Sequence, residues 1–448
     1  MKEFTLGEIA AACGGKYVGD KSKLLTCVTS VVIDSRKVTE GSLFVAIKGE
    51  RTDGHNYIVS SYDSGAVCAL SEKEIDYGEP YILVDSTAQA IKDIAEAYRA
   101  KFPNIEVIGI TGSVGKTSTK EMISAVLQKK YVVHKTQGNF NNELGVPLTL
   151  LSMPEDTEAA VVEMGINHFG EMTRLSKMVR PTVCVLTNIG TCHLENLIDR
   201  DGVLKAKTEM FKYKAEGAEI IVNGDDDKLQ TVDNVTYRFG MGSGNDFYAE
   251  DIRTNVSSMT FTLCFGEKKY PAEIPALGAH MVTNALAAAA VGTALNMEIE
   301  EIIEGFKDYT AVGSRARLVE TPLLRVIDDC YNANPNSVRA ALDTLVSLKA
   351  KRKVAVLGDM KELGVNEAAL HREVGQYAAK IGIDVLITIG ELAKNIADAA
   401  ADIEVYSFDT VDDALDEIDT VIHKDDVVLV KASHSMHFEE IVRYFEQL

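Results

Sequence analysis

One stretch of this 448-residue chain constrains its fold more than any other: Thr111-Gly-Ser-Val-Gly-Lys-Thr-Ser118. It directly follows an apolar run, Val107-Ile-Gly-Ile-Thr111, and opens a helical pattern with Met122, Ile123, Val126 and Leu127 on one face. Strand, glycine loop and helix in that order make a phosphate cradle. Gly112, Ser113, Val114 and Gly115 allow backbone N–H groups to converge on phosphate oxygens, and the helix N-terminus adds roughly half a positive charge. Lys116 can reach terminal phosphates, the Thr117 hydroxyl can bind Mg²⁺, and Ser118 continues the first turn. Ile110 stands where the general pattern would open with glycine. The bland alternative is a glycine turn before an ordinary helix, but the strand-loop-helix context favours a bound nucleotide.

Such a unit belongs in a parallel sheet covered on both faces, whose strands read as continuous apolar runs. Ala160-Val-Val-Glu163, Val183-Cys-Val-Leu-Thr187 and Glu219-Ile-Ile-Val222 fit that description, with helical sequence between them. A doubly wound α/β domain is therefore expected over residues 84–312. Before it, residues 1–83 are short β-rich pieces such as Ser42-Leu-Phe-Val-Ala-Ile-Lys48. Ser86-Thr87 then offers an N-cap to a helix carrying Ile91, Ile94, Ala95, Tyr98 and Phe102, which Pro103 should end. After it, residues 313–448 repeat the α/β alternation with strands at Val354-Ala-Val-Leu357, Val385-Leu-Ile-Thr-Ile389 and Val427-Val-Leu-Val430. No Gly-x-Gly-x-x-Gly follows any of these. Three domains agree with the length, at roughly 150 residues each.

Composition narrows the function. With 46% apolar and 25% charged residues the chain is globular, and its net charge of −21 argues against a sequence-independent grip on nucleic acid. The seven cysteines are scattered and never form Cys-x-x-Cys, so neither a disulfide framework nor a structural zinc site is expected. Residues 1–15 lack the layout of a signal peptide, and no apolar run approaches the ~20 residues of a membrane helix. A soluble cytoplasmic protein without membrane insertion is the expectation.

Two further strand ends point at the crevice where α/β proteins place ligands. Glu163 ends one and could hold a metal, although a lone strand-end glutamate is more often plain surface. Thr187-Asn-Ile-Gly-Thr-Cys-His193 ends another, and a single histidine is likewise more often structural. Polar groups at several strand ends of one phosphate-loop domain are harder to dismiss.

In order along the chain, Thr-Gly-x-x-Gly-Lys-Thr, Glu163-Met-Gly, Thr187-Asn-Ile-Gly-x-x-His-Leu-Glu195 and Lys205-Ala-Lys-Thr-Glu-Met-Phe211 resemble the signature of the Mur ligases. These are ATP-dependent amide-forming enzymes of peptidoglycan synthesis. The likeness runs on through Asn223-Gly-Asp-Asp226, Asn284-Ala-Leu-Ala-Ala-Ala289, Arg317-Leu and Asp328-Asp-Cys-Tyr-Asn-Ala-Asn-Pro335, covering essentially the whole chain. Asp34-Ser-Arg-Lys-Val, Gly138-Asn-Phe-Asn-Asn-Glu-Leu-Gly-Val-Pro147 and Gly358-Asp-Met-Lys-Glu-Leu-Gly364 are most similar to the branch that adds D-alanyl-D-alanine.

The resemblance implies three α/β domains: a uridine-nucleotide domain (1–83), a central ATP-binding domain (84–312) and a C-terminal Rossmann-like domain (313–448). It implies ligation of D-alanyl-D-alanine to UDP-N-acetylmuramoyl-tripeptide, with lysine or diaminopimelate third, through an acyl phosphate. It implies Lys116, His193 and Lys207 in catalysis, Asn284, Arg317 and Asn332 beside the phosphate loop at ATP, and Ser35, Arg36, Asn139, Asn141 and Asn142 at the other substrate. Two Mg²⁺ ions would be held by Thr117, Glu163, His193 and Lys207 as a carbamate. Lys207 precedes an aromatic residue by four positions, as the family's modified lysine does, and Lys205 does not. A monomer in the bacterial cytoplasm is expected. The rival readings are another amide ligase of the superfamily, such as a sibling Mur ligase or a folylpolyglutamate synthetase, and a non-catalytic nucleotide switch. One motif departs from the family: Lys431-Ala-Ser-His-Ser-Met436 has Ala432 and His434 in place of glycine and arginine, and a histidine is a weaker, pH-dependent anion grip.

Overall fold

The computed structural model describes residues 1–50 and 52–448. Three sheets organise them. The first has five strands in the order Lys16–Val18, Tyr81–Leu83, Ala66–Ser71, Ser42–Val45 and Ser30–Val32. Its first pair is antiparallel and the rest are parallel. The helix Thr87–Ala100 follows, capped by the Ser86 side chain accepting from the Gln89 N–H. Ile91, Ile94, Ala95 and Tyr98 are buried on its inner face. The helix stops at Ala100, before Pro103, and Phe102 packs into the same core from beyond its end.

The central sheet has nine strands. At its heart Glu106–Thr111 lies between Ala159–Glu163 and Val183–Leu186, parallel to both. All the apolar side chains of these strands are buried, as continuous apolar runs require of strands covered on two faces. Val133–Lys135 flanks them on one side, and Glu219–Asn223 and Tyr237–Phe239 extend the sheet on the other. Beyond that the doubly wound pattern gives way. Phe247–Thr254, Met259–Phe265 and Lys268–Ile274 form an antiparallel meander that ends the sheet. Its burial alternates along each strand, since only one face packs on the core.

Two helices press on the sheet face beneath the loop. Lys116–Leu127 packs beside Ala279–Ala294, whose Asn284-to-Ala289 stretch of small side chains lets the two helices approach closely. The third sheet has six strands in the order Arg317–Glu320, Arg325–Asp328, Val427–Lys431, Lys353–Gly358, Val385–Ile389 and Glu404–Phe408. Only the first pair is antiparallel. Two apolar clusters, one on each face, bury it. Among the described residues no helix is long and apolar enough to cross a membrane.

Candidate functional site

The loop at residues 112–115 is braced by the neighbouring strand end. Ser113 N–H donates to the Asn188 carbonyl and Val114 N–H to Asn188 Oδ1, both at 3.0 Å. Thr187 Oγ1 donates back to the Val114 carbonyl at 2.7 Å. This closeness requires Gly112, because a Cβ there would collide with Thr187 Oγ1. Gly115, at φ 81, takes the left-handed conformation that turns the chain into the helix. Lys116 Nζ folds over the loop and donates to the Gly112 carbonyl at 2.8 Å.

Glu163 and His193 flank this loop from the strands on its two sides. The Glu163 carboxylate is buried and accepts from Thr117 Oγ1 at 2.8 Å and from Asn141 Nδ2 at 2.7 Å. His193, at φ 53, starts a short helix, and its Nδ1 lies 3.5 Å from Glu362 Oε2 of the third sheet's unit. Burial, reinforced by Lys207 and Lys116, pushes the imidazole down to about 4, so the ring is neutral at pH 7 and free to bind a cation.

The two candidate lysines separate cleanly. Lys207 is buried on the inner face of the helix Arg200–Thr208, and its Nζ donates to the Gly112 carbonyl at 3.0 Å. Burial, with Lys116 adding to it, pushes its ammonium down to about 8. Lys205 is exposed, its Nζ 5.8 Å from the centre of the Phe169 ring.

The donor set suits Mg²⁺ in part. Thr117 and Glu163 are hard oxygen donors in contact, as a magnesium bound together with phosphate needs. A neutral His193 fits a second ion, whereas Lys207 fits one only after losing its positive charge. Among the described residues no group of three or more His, Cys, Asp or Glu could hold a metal alone.

These groups open on a cavity of about 700 Å³ between the central and third units. Ser113 to Ser118, Asn139, Asn141, Asn142, Glu163, His193 and Asn284 line one side, and Asn332 the other. Asn284 accepts from Thr119 Oγ1 at 3.0 Å, which fixes it against the helix. Not every expected residue is there. Gly112 and Lys207 lie behind the wall. Ser35 and Arg36 sit on the first unit in a short turn, where Arg36 pairs with Asp34 at 2.8 Å and holds that carboxyl down to about 2.

Arg317, expected at ATP, is turned away and pairs with Asp328 at 3.2 Å and Glu446 at 2.9 Å. Arg315 lines the cavity instead, its guanidinium 3.8 Å from the centre of the Tyr331 ring. Ala316 between them has φ 52, and this kink breaks the two-residue alternation that would have put both arginines on one side. Nothing in the sequence announces a left-handed alanine, so the sequence points to Arg317 and not to Arg315 as the arginine facing the cavity. His434 stacks on Tyr331 as well, with ring centres 5.5 Å apart. The neighbouring Lys431, buried, binds Asp329 at 2.6 Å and the Asn332 carbonyl at 2.8 Å.

Family models and known proteins match this chain over most of its length. The family models for the Mur ligase middle domain, the Mur ligase glutamate ligase domain and the Mur ligase family catalytic domain match residues 110–292, 314–434 and 28–117. A UDP-N-acetylmuramoyl-tripeptide–D-alanyl-D-alanine ligase from Bacillus subtilis (strain 168) is 38% identical over 430 residues, which is 93% of each chain. The crystal structure of MurF from Acinetobacter baumannii superposes over the whole of both chains with a TM-score of 0.92 at 31% identity. The MurF ligase from Thermotoga maritima, solved in complex with ADP, gives 0.83 at 29% identity over 93% of this chain and 97% of that one.

Proposed function

The chain belongs to the Mur ligase family, and we propose from its site how it performs the reaction of its relatives, the ADP-forming ligation of D-alanyl-D-alanine to UDP-N-acetylmuramoyl-tripeptide. One observation carries the reading. A phosphate loop, the buried Glu163 carboxylate and the asparagines of residues 139–142 meet in a single cavity that the third unit covers.

A carboxylate is a poor acyl donor. An oxygen of the tripeptide's terminal carboxylate therefore attacks the γ-phosphorus of ATP, ADP leaves, and an acyl phosphate forms. The amine of the dipeptide then attacks the acyl carbon, phosphate leaves, and the nitrogen gives up its proton. The N–H groups of Gly115 to Thr117, where the helix begins, hold the phosphates, those of Ser113 and Val114 being taken by Asn188, and Lys116 offsets the charge that accumulates as carboxylate and triphosphate meet. Thr117 and Glu163 would hold one Mg²⁺, and His193 with a carbamylated Lys207 a second; bound there, the ions would neutralise the transferring phosphoryl group. A depressed Lys207 ammonium supports the carbamate, because only the neutral amine reacts with CO₂, releasing one proton.

Asn284, Asn332 and Arg315, the last in place of Arg317, serve the nucleotide side. Asn139, Asn141 and Asn142 meet the peptide end of the other substrate, and Ser35 and Arg36 its uridine end. Domains at 1–83, 84–312 and 313–448 divide these tasks, and closure of the third over the cavity keeps water from the acyl phosphate. The enzyme works as a monomer in the cytoplasm, where ATP is available. Phosphate release measured with ATP, D-alanyl-D-alanine and either the lysine or the diaminopimelate tripeptide nucleotide tests the reading. No release with either nucleotide would refute it.

A further inference from the structure

The helix that follows the phosphate loop carries a lysine that the chemistry leaves unused. Lys120 lies one turn beyond Lys116, on the same helix, and is entirely buried outside the cavity wall. A buried ammonium survives only if its hydrogens are satisfied. Those of Lys120 go to the Thr136 carbonyl at 2.7 Å, the Gly138 carbonyl at 3.4 Å and Glu121 Oε1 at 3.0 Å. The second oxygen of Glu121 binds the half-buried Lys135, so a lysine–glutamate–lysine chain ties the helix to the strand Val133–Lys135.

The two carbonyls belong to the chain entering residues 138–142. Thr136 Oγ1 accepts from the Glu163 N–H at 3.0 Å, and the Asn141 side chain returns to the Glu163 carboxylate at 2.7 Å. The Gly165 N–H closes the loop on the Asn141 carbonyl at 2.8 Å. Glu163 therefore meets this segment at both ends, and Lys120 fixes where the segment begins.

We propose that Lys120 is a positioning residue: it registers residues 138–142 against the phosphate-loop helix and so sets the place of the tripeptide nucleotide relative to ATP. The inference rests on the reading above, in which Asn139, Asn141 and Asn142 face that substrate. Replacement by methionine keeps the bulk but strands the buried Thr136 carbonyl and releases that of Gly138, and the segment shifts.

In Lys120→Met the KM for the tripeptide nucleotide should rise on the order of tenfold or more while that for ATP stays within about twofold. Lys120→Arg, which can still donate to both carbonyls, should recover part of the loss. Equal rises in both KM values, or an unchanged KM for the tripeptide nucleotide in folded Lys120→Met, would overturn the proposal. Should Lys120→Met not fold, hydrogen exchange on the wild-type protein without ligands decides. Slow exchange of the Phe140 and Asn141 amides supports the anchor, and exchange at the free-chain rate overturns it. A wild-type enzyme that ligates neither tripeptide nucleotide removes the reading of the reaction itself. One that ligates normally beside a Lys120→Met variant with equal KM rises removes this inference alone.

Discussion

Lys116 and Lys207 donate to the same carbonyl, that of Gly112, yet their surroundings give them different tasks. Lys116 lies in the cavity wall, so its removal costs charge rather than packing. Lys116→Ala should abolish phosphate release and leave the circular dichroism spectrum unchanged; turnover by the folded variant would sink the phosphate-loop assignment. Lys207 is buried with its ammonium lowered from 10.5 to about 8. Lys207→Ala should lose nearly all activity, Lys205→Ala little, and short carboxylates added to Lys207→Ala should restore part of the rate by standing in for the carbamate. Wild-type turnover by Lys207→Ala would defeat that assignment. The same burial has a stability consequence. The unfolded chain holds this proton up to about 10.5 and the folded one only to about 8, so the penalty of a buried cation is complete below 8 and fades as pH climbs towards 10.5. In CO₂-free, nucleotide-free buffer, Lys207→Met should therefore melt higher than wild type at pH 7, with the gap closing above pH 8. A constant gap from pH 7 to 10 would show that the ammonium is not the cause. From the sequence, Lys205 and Lys207 differ only in the aromatic residue four places on. The structure distinguishes them by exposure.

The strand Glu106–Thr111 and the helix Lys116–Leu127 owe their positions to local signals, an apolar run and a glycine turn. The fit between that turn and the next strand is tighter than any local signal implies. Gly112→Ala would drive a methyl group into Thr187 Oγ1 and must displace the loop. ATP affinity should fall by on the order of tenfold or more while overall secondary structure persists, since the loop is exposed to ligand and the sheet is not; equilibrium binding of ATP measures it, and unchanged affinity would mean that the loop moves at no cost. The helix Thr87–Ala100 rests on its cap, and Ser86→Ala should lower stability by about 1 kcal/mol in denaturant unfolding. A larger change would point to contacts beyond the Gln89 N–H. Its start at Thr87 was legible from Ser86, whereas its end was not, because the chain left helical geometry before Pro103 compelled it to. The meander of residues 247–274 carries an alternation of buried and half-exposed side chains, but three short runs with that period do not by themselves say that they extend a parallel sheet.

Across the molecule the first unit, with Ser35 and Arg36, is separate from the cavity where the phosphate loop meets the third unit. Arg36→Ala should raise the KM for the uridine nucleotide far more than that for ATP, and steady-state kinetics with each substrate varied in turn would show it; equal rises would mean that the units do not divide the substrates. Residues near in the chain specified the phosphate loop, the buried strands around it and the cap of the helix at Thr87, because backbone propensity, apolar periodicity and side-chain caps act over a few positions. The departures in Ala432 and His434 were equally visible as letters, but their surroundings were not: His434 lies on the Tyr331 ring, whose other neighbour is Arg315. Strand order placed Glu163 and Thr187 on opposite sides of the phosphate-loop strand, and no adjacent residue encodes that order. A left-handed Ala316 sent Arg315 into the cavity and Arg317 out to Glu446. Folding of distant segments against one another buried Lys207 and left Lys205 in solvent. Charge state, direction and exposure depend on those long-range contacts, because they set the local dielectric and the available partners, and a linear pattern contains neither.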